Sequence, residues 1–197
     1  MIDARTFFES LFERHGNRPE TLDWSERGQR IRFEVLAQIG ELEGKSILDV
    51  GSGLGHLYGF LRDRLRVFRY RGYDLSPRLV QAAKQAYPDA TFEVRDVLKN
   101  NIGGTYDFVL SSGLNNLETG TNDRDMRSFL RNAWGACRLG TGVNMLSRWA
   151  ARRERRRHFY DPISFLRYAK RLTPRVVLRH DYLPHDFTLY LFREAPP

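Results

Sequence analysis

The chain has 197 residues, a net charge of +8 and a pI of about 9.9, and 41% of its residues are hydrophobic. This length and composition predict one soluble globular domain with a full-sized core. No apolar run approaches the roughly 18 residues of a membrane span, and the N-terminal residues lack the apolar segment of a signal peptide. Cys137 is the single cysteine, which excludes an internal disulfide, so a reducing cytoplasm is the expected location.

The N-terminal segment, residues 1–40, is predicted to form two helices that precede the first strand. Asp3 is the expected N-cap of a helix over residues 3–14, and a polar loop containing Pro19 separates it from a second helix over residues 24–39. The side chains of this segment that could reach a bound ligand are Trp24, Arg30 and Arg32. The sequence does not single out one of them.

Residues 46–57 read Ser-Ile-Leu-Asp-Val-Gly-Ser-Gly-Leu-Gly-His-Leu. An apolar run with one acid, Asp49, gives way to three glycines and then to helical spacing, which predicts a buried strand, a tight turn and a helix start. Glycines let the backbone approach a ligand, and a helix N-terminus offers unpaired N–H groups. The sixth position of a dinucleotide fingerprint is glycine, but His56 stands there. A carboxylate at position 49 suits a cationic amino-acid end better than a pyrophosphate.

Two further acids follow the next two predicted strands. Asp74 closes an alternating segment over residues 67–73, and Asp96 follows a strand over residues 91–94. In open α/β sheets the ligand binds outside the carboxyl ends of the strands. An acid at the position of Asp74 accepts hydrogen bonds from both hydroxyl groups of a ribose. Together with Asp49, these acids predict a nucleoside-containing ligand at one edge of the sheet.

The pattern Asp49-x-Gly51-x-Gly53-x-Gly55 resembles motif I of the class I S-adenosylmethionine (SAM)-dependent methyltransferases. The resemblance implies SAM as cofactor and S-adenosylhomocysteine (SAH) as product. With Cys137 as the single cysteine, we expect no metal cluster. The resemblance also implies that Asp96 accepts from the adenine amino group, that Val97 packs on the ring, and that the N-terminal helices close over the ligands. The alternative is that these helices only cap the sheet. The cofactor-binding residues expected from it are Asp49, Gly51, Ser52, Gly53, Asp74, Leu75, Asp96, Val97, Ser112 and Gly113.

The remaining elements complete the predicted fold. A fourth strand over residues 106–112 runs into Gly113-Leu114-Asn115-Asn116, which resembles the motif IV region that faces the transferred methyl group. A helix over residues 122–137, a fifth strand over residues 143–147, a helix from Pro162 and a terminal hairpin follow. The order predicts an α/β, Rossmann-like class I methyltransferase fold with a seven-stranded, mostly parallel sheet, an antiparallel last strand and helices on both faces. We expect a single domain over residues 1–197, with cap helices over 1–40 and the SAM-binding core over 44–193.

An arginine-rich run occupies residues 152–157, Arg-Arg-Glu-Arg-Arg-Arg. Arginine suits anionic partners, so one interpretation is an anion-binding insertion. We favour a solvated linker or helix turn, because the run lacks the interleaved aromatic residues of a platform on which nucleobases stack. Nucleic acid is therefore a second candidate partner that the sequence does not favour.

The sequence contains no catalytic signature, which methyl transfer does not require. The sulfonium is already activated, so the protein mainly positions two reactants and excludes water. The catalytic candidates are Asn116, Asn144, His180 and Tyr160, the last because it precedes a helix N-cap and so is expected to line the mouth of the site. We predict methylation of nitrogen or oxygen on a small molecule, with no membrane partner. The alternatives are transfer or cyclisation of the aminocarboxypropyl part of SAM with release of methylthioadenosine, and methylation of RNA or another anionic polymer.

Overall fold

The computed structural model describes residues 3–194. Seven strands and six α-helices form its framework, with a short 3-10 turn at Pro19–Leu22. In chain order they are α1 Ala4–His15, α2 Glu26–Ala37, β1 Ser46–Val50, α3 His56–Arg62, β2 Arg69–Asp74, α4 Pro77–Ala86, β3 Thr91–Val94, β4 Tyr106–Ser112, α5 Asn122–Ala136, β5 Cys137–Leu146, α6 Pro162–Leu172, β6 Val176–Arg179 and β7 Asp186–Phe192.

The strands form one sheet in the order β3-β2-β1-β4-β5-β7-β6. Strands β1 to β5 pair in parallel, whereas β7 is antiparallel to both of its neighbours. The predicted fold class is therefore confirmed, including the antiparallel last strand. The order reverses between β1 and β4, and at such a switch point the connections leave the strand ends in opposite directions and open a crevice for a ligand.

Helices cover both faces of the sheet, and β1 shows how the core is divided. Leu48 and Val50 belong to a hydrophobic cluster that includes residues of α5 and α6, whereas Ile47 belongs to a second cluster with residues of α2, α3 and α4. Alternate side chains of a strand point to opposite faces, so the two clusters lie on the two sides of the sheet. Every residue of β1 is buried, which matches the near-continuous apolar character of a central parallel strand. Asp49 is its one ionisable residue.

The predicted N-cap of α1 is present, and side chains also cap the start of α4 and of α6. The side chain of Asp3 accepts a hydrogen bond from Arg5 N at the start of α1, and Ser76 Oγ accepts one from Leu79 N at the start of α4. Asp161 accepts from two backbone N–H groups at the start of α6, where Pro162 occupies the first helical position. Each cap satisfies donors that the helix itself leaves unpaired.

Strand β5 begins earlier than predicted. Residues 137–142 were expected to end a helix and to turn, but they are extended and pair with β4 on one side and with β7 on the other. Gly140 and Gly142 belong to the strand because α2 packs closely over it. A Cβ at Gly142 would lie 3.3 Å from Ile39 Cδ1 and 3.4 Å from Leu36 Cδ2. Tertiary packing, not a turn, explains this pair of glycines.

Cys137, at the start of β5, is a buried free thiol. Among residues 3–194 no helix combines the length and the apolar character needed to cross a membrane.

Candidate active site

The turn after β1 is fixed by glycine. Gly51 and Gly53 have φ angles of 77° and 53°, a region that L side chains rarely adopt. The N–H groups of Gly51 and Ser52 donate to Tyr73 O at 2.8 and 3.0 Å, which ties the turn to β2. A Cβ at Gly53 would lie 2.7 Å from Leu22 Cδ2. The turn therefore holds its backbone close to both the neighbouring strand and the N-terminal segment.

Asp74 stands at the end of β2 and joins the glycine turn to α4. Its Oδ2 accepts from Gly53 N at 2.8 Å and its Oδ1 accepts from Ser76 N at 2.9 Å. Burial raises the pKa of Asp74 above its usual value, although the hydrogen bonds from Ser76 and Gly53 oppose this shift. Its carboxylate is oriented by backbone donors and keeps free lone pairs, so it can accept from ligand hydroxyl groups.

Asp96 is held in a similar way after β3. Its Oδ1 accepts from Leu98 N at 3.2 Å and from Lys99 N at 3.3 Å, and its Oδ2 lies 3.4 Å from Lys99 Nζ. The carboxylate thus has a fixed position near the carboxyl end of its strand.

These elements surround one cavity of about 130 Å³, which we call the inner cavity. Seven of the ten expected cofactor-binding residues line it: Gly51, Asp74, Leu75, Asp96, Val97, Ser112 and Gly113. Side chains that the sequence did not indicate complete the wall, among them Arg5 and Phe8 of α1, Arg95 and Leu114. The periodicity of α1 showed an apolar face but not what it would cover. Because α1 lines the cavity, its position fits contact with a ligand better than a purely capping role.

Asp49 and Ser52 lie at a smaller side pocket that shares Gly51 and Ser112 with the inner cavity. Asp49 is 3% exposed and its Oδ2 accepts from Tyr70 Oη at 2.6 Å. Burial, supported by the nearby charge of Asp74, raises the pKa of Asp49 to about 7. Ser52 Oγ is buried and has no hydrogen-bond partner among the described residues. Such an orphaned group next to a carboxylate fits a polar, cationic end of a ligand.

Trp24 lies at the junction of three openings. It lines the inner cavity, the side pocket and a larger outer cleft. A Cβ at Gly113 would lie 2.6 Å from Trp24 Cζ2, so the indole packs directly against the loop after β4. Of the three side chains suggested from the N-terminal segment, Trp24 and Arg32 line these openings. Arg30 is exposed and pairs with Glu34 at 3.0 Å.

The catalytic candidate Asn116 lies directly after the loop residues Gly113, Leu114 and Asn115 that line the inner cavity. It is 8% exposed, and neither its amide nitrogen nor its amide oxygen has a partner among the described residues. Its Nδ2 lies 3.3 Å from the position that a Cβ on Gly113 would take. A buried amide without partners next to a cavity-lining glycine is available to a ligand.

The other three candidates bond within the protein instead of lining an opening. Asn144 Nδ2 donates to Thr188 Oγ1 at 2.5 Å, and His180 Nε2 lies 2.7 Å from Ser147 Oγ. Tyr160 is fully buried and its hydroxyl donates to Asn115 O at 2.7 Å. It does not line the mouth of the site as expected, because its backbone pairs with the end of β5 and turns the ring into the core.

His185 lines the outer cleft, beside a buried ion pair. Arg32 Nη2 lies 2.5 Å from Asp186 Oδ2, and the two side chains are 2% and 1% exposed. His185 Nε2 is 3.4 Å from the same Arg32 nitrogen. Only the pairing of β5 with β7 shows that this histidine reaches the cleft.

Residues 47–140 match the family model described as a methyltransferase domain. Over 157 residues the chain is 29% identical to a putative methyltransferase of Mycobacterium tuberculosis, covering 76% of this chain and 93% of that protein. Over 79 residues it is 35% identical to the trans-aconitate 2-methyltransferase of Afipia carboxidovorans, covering 36% of this chain and 30% of that protein. The chain thus spans less than a third of the length of two curated relatives that it matches.

A solved structure with the same fold is the magnesium protoporphyrin IX methyltransferase of Synechocystis PCC 6803 with bound SAM. Its TM-score is 0.71 at 16% identity, and the match covers 98% of this chain and 99% of that chain. This likeness concerns the fold. The glycine turn, the acids at successive strand ends and the strand order agree with the match to a methyltransferase domain over residues 47–140, and the chain has the fold of the class I SAM-dependent methyltransferases.

Proposed function

We propose that this protein transfers a methyl group from SAM to a nitrogen or oxygen atom of a small-molecule acceptor and releases SAH. The observation that carries the proposal is the convergence of Gly51, Asp74 and Asp96 on one inner cavity that meets an outer cleft at Trp24. Such an arrangement offers separate but adjoining places for a cofactor and an acceptor, which is what a displacement between two bound molecules requires.

The residues present fit SAM. Asp74 would accept from the ribose hydroxyl groups, Asp96 and Val97 would hold the adenine, and Asp49 with Ser52 would meet the amino-acid end. The orphaned hydroxyl of Ser52 supports the last assignment, since it gains a partner when a polar ligand is bound. When bound, SAM supplies a methyl group that its sulfonium already activates.

The protein's own residues then act on the acceptor. The unpartnered amide of Asn116, whose Nδ2 lies beside Gly113, can both donate to and accept from the end of the acceptor that approaches the cofactor. His185 stands half-exposed in the outer cleft, where a neutral imidazole can take a proton from a nucleophile. Asn144, His180 and Tyr160 hold the strand ends and loops around the site, so we assign them positioning roles.

The first experiment is a calorimetric titration of the purified chain with SAM and with SAH, followed by incubation with SAM alone and analysis of the products. Binding of both ligands without turnover supports the proposal and leads to a screen of small acceptors for SAH formation. Methylthioadenosine formed without an acceptor would instead identify transfer or cyclisation of the aminocarboxypropyl part. Absence of binding to either ligand would overturn the cofactor assignment.

An anionic polymer such as RNA is the second candidate acceptor, favoured by the arginine residues of the outer cleft. Binding of RNA that weakens steeply with salt would identify it, because phosphate contacts release counterions. Within the proposal, residues 1–197 act as a single domain, with residues 1–40 as a cover and residues 44–193 as the SAM-binding core. A cytoplasmic location is also proposed, since the one cysteine is a free thiol.

A further inference from the structure

The outer cleft is formed by the start of α2, the arginine-rich segment and the turn before β7. Its volume of about 710 Å³ exceeds that of the inner cavity. The arginine run is therefore not only a solvated linker, because four of its residues, Arg152, Arg153, Glu154 and Arg157, line a cleft that adjoins the inner cavity.

The charges in this cleft are unbalanced. It contains five arginines and two acids, and both acids already have partners. Asp23 lies 2.7 Å from Arg157 Nη2, and Glu154 lies 3.4 Å from Arg157 Nε. Among the residues that the structure describes, Arg27, Arg152 and Arg153 form no ion pair. These three guanidinium groups give the cleft a positive charge that nothing in the described part of the chain neutralises.

A buried donor points to the same ligand chemistry. Arg32 lines the cleft, is 2% exposed and pairs with Asp186 through Nη2, yet its Nε has no hydrogen-bond partner in residues 3–194. A buried N–H group without a partner costs free energy that a ligand oxygen can recover. A hydrogen bond from a guanidinium to an oxyanion is among the strongest available.

The rest of the wall is apolar. Trp24, Ile31, Leu146, Phe159 and Leu183 line the cleft between the charged groups. A ligand with only charge, such as a free inorganic ion, would leave this surface uncovered. An apolar body attached to an oxyanion would cover it and also meet the free arginines.

We infer that the outer cleft binds the acceptor, and that the acceptor is a small organic anion with a carboxylate or phosphate group on an apolar body. This inference rests on the proposed function and names the substrate class of that site. Arg27, Arg152 and Arg153 hold the anionic group, the apolar residues hold the body, and Trp24 marks the side on which the acceptor meets the inner cavity. A polymer is disfavoured because the free arginines converge on one cleft instead of forming a strip.

The test uses the full chain with SAH present and three probes titrated by ligand-observed NMR: phenylacetate, phenyl phosphate and the neutral phenylacetamide. We expect one or both anions to bind at least about tenfold more tightly than the amide, and the better anion identifies which oxyanion the cleft prefers. The R152Q/R153Q variant should lose about tenfold or more of this affinity. R66Q/R69Q is the control with the same change in net charge, because Arg66 and Arg69 are exposed at the opposite end of β2 and keep the cleft intact.

Equal binding of the amide and both anions, or equal anion affinity in R152Q/R153Q and the control, would overturn the inference. A short single-stranded RNA that binds wild type but not R152Q/R153Q, with no binding of the small anions, would also overturn it in favour of a polymer. A parallel SAH titration distinguishes a failure of the proposed function from a failure of the inference about the acceptor. If wild type does not bind SAH, the proposed function is contradicted. If R152Q/R153Q binds SAH as wild type does, only the acceptor site was altered.

Discussion

The guanidinium group of Arg32 lies over the indole of Trp24, with Cζ 3.7 Å from the ring centroid. The same guanidinium pairs with Asp186 at the start of β7. Because Trp24 lines both the inner cavity and the outer cleft, this stack fixes the boundary between the two openings. A cation over an indole is attractive in itself, and more so when both groups are desolvated. The position of α2 on the sheet therefore determines where a cofactor and an acceptor can meet.

The buried Arg32–Asp186 pair should be sensitive to the loss of either partner. Asp186→Asn leaves a buried guanidinium without its counter-charge, and we expect the free energy of unfolding to fall by roughly 3–5 kcal/mol. Denaturation by urea measures this change. Arg30→Gln, which breaks the exposed pair with Glu34 on the same helix, is the matched control and should cost less than about 1 kcal/mol. Equal effects of the two substitutions would show that burial does not increase the destabilisation caused by breaking the Arg32–Asp186 pair.

Asp74 should determine cofactor affinity. Asp74→Asn removes a charged acceptor and places an amide near the N–H groups of Gly53 and Ser76, so we expect SAH binding to weaken by about 1–3 kcal/mol. Calorimetry measures the affinity and a thermal melt checks that the fold is retained. Asp63→Asn, at the exposed end of α3, is the control of equal charge and should bind SAH as wild type does. If Asp74→Asn bound SAH as tightly as wild type, the assignment of Asp74 to the ribose contact would be wrong.

The residues around Asp74 could be predicted because their signals are local. The glycines after β1, the acid at the end of β2 and the acid after β3 follow from short patterns whose backbone and hydrogen-bonding requirements do not depend on distant segments. Asn144, His180 and Tyr160 carry no such signal. Whether they face a ligand or the core depends on how β5 pairs with β7 and with residues near position 160, contacts that join parts of the chain far apart in sequence.

The arginine-rich segment illustrates the same limit. Its sequence favoured a solvated linker or helix turn over an anion-binding insertion, because the run lacks interleaved aromatic residues. Only the tertiary structure distinguishes Arg152 and Arg153, which face the outer cleft without partners, from Arg156, which pairs with Asp23 and Glu154.

Asn116 should affect turnover more than cofactor binding. Its amide has no partner in the described residues and lies next to Gly113 at the inner cavity. We expect Asn116→Ala to lower kcat/KM for an identified acceptor by about tenfold or more, the loss of one or two hydrogen bonds in a buried site, while SAH affinity stays within about twofold. Asn101→Ala, an exposed loop change, is the control. If SAH affinity and turnover fell together, Asn116 would be assigned a contact with the cofactor and not with the acceptor.

Asp49 should make both stability and cofactor binding depend on pH. Burial raises the pKa of Asp49 from its usual value of 3.8 to about 7. The hydrogen bond from Tyr70 opposes this rise, and the charge of Asp74 adds to it. The folded protein therefore holds this proton more tightly than the unfolded chain. The resulting stability is fully present below about pH 4 and is lost as pH rises through about 7, a difference on the order of 4 kcal/mol. Urea denaturation of the ligand-free protein across this range measures it.

Asp49→Asn has no carboxyl group to titrate at this position, so its free energy of unfolding should decrease less than that of wild type as the pH rises. Asp63→Asn should show the wild-type decrease. An ammonium group placed beside Asp49 favours the ionised carboxylate, so SAM binding near about pH 6 should release a fraction of a proton. Calorimetry in buffers with different ionisation enthalpies counts the protons released. If wild type and Asp49→Asn show the same dependence of the free energy of unfolding on pH and the same proton release, Asp49 is already ionised in the free protein. Its burial then does not raise its pKa.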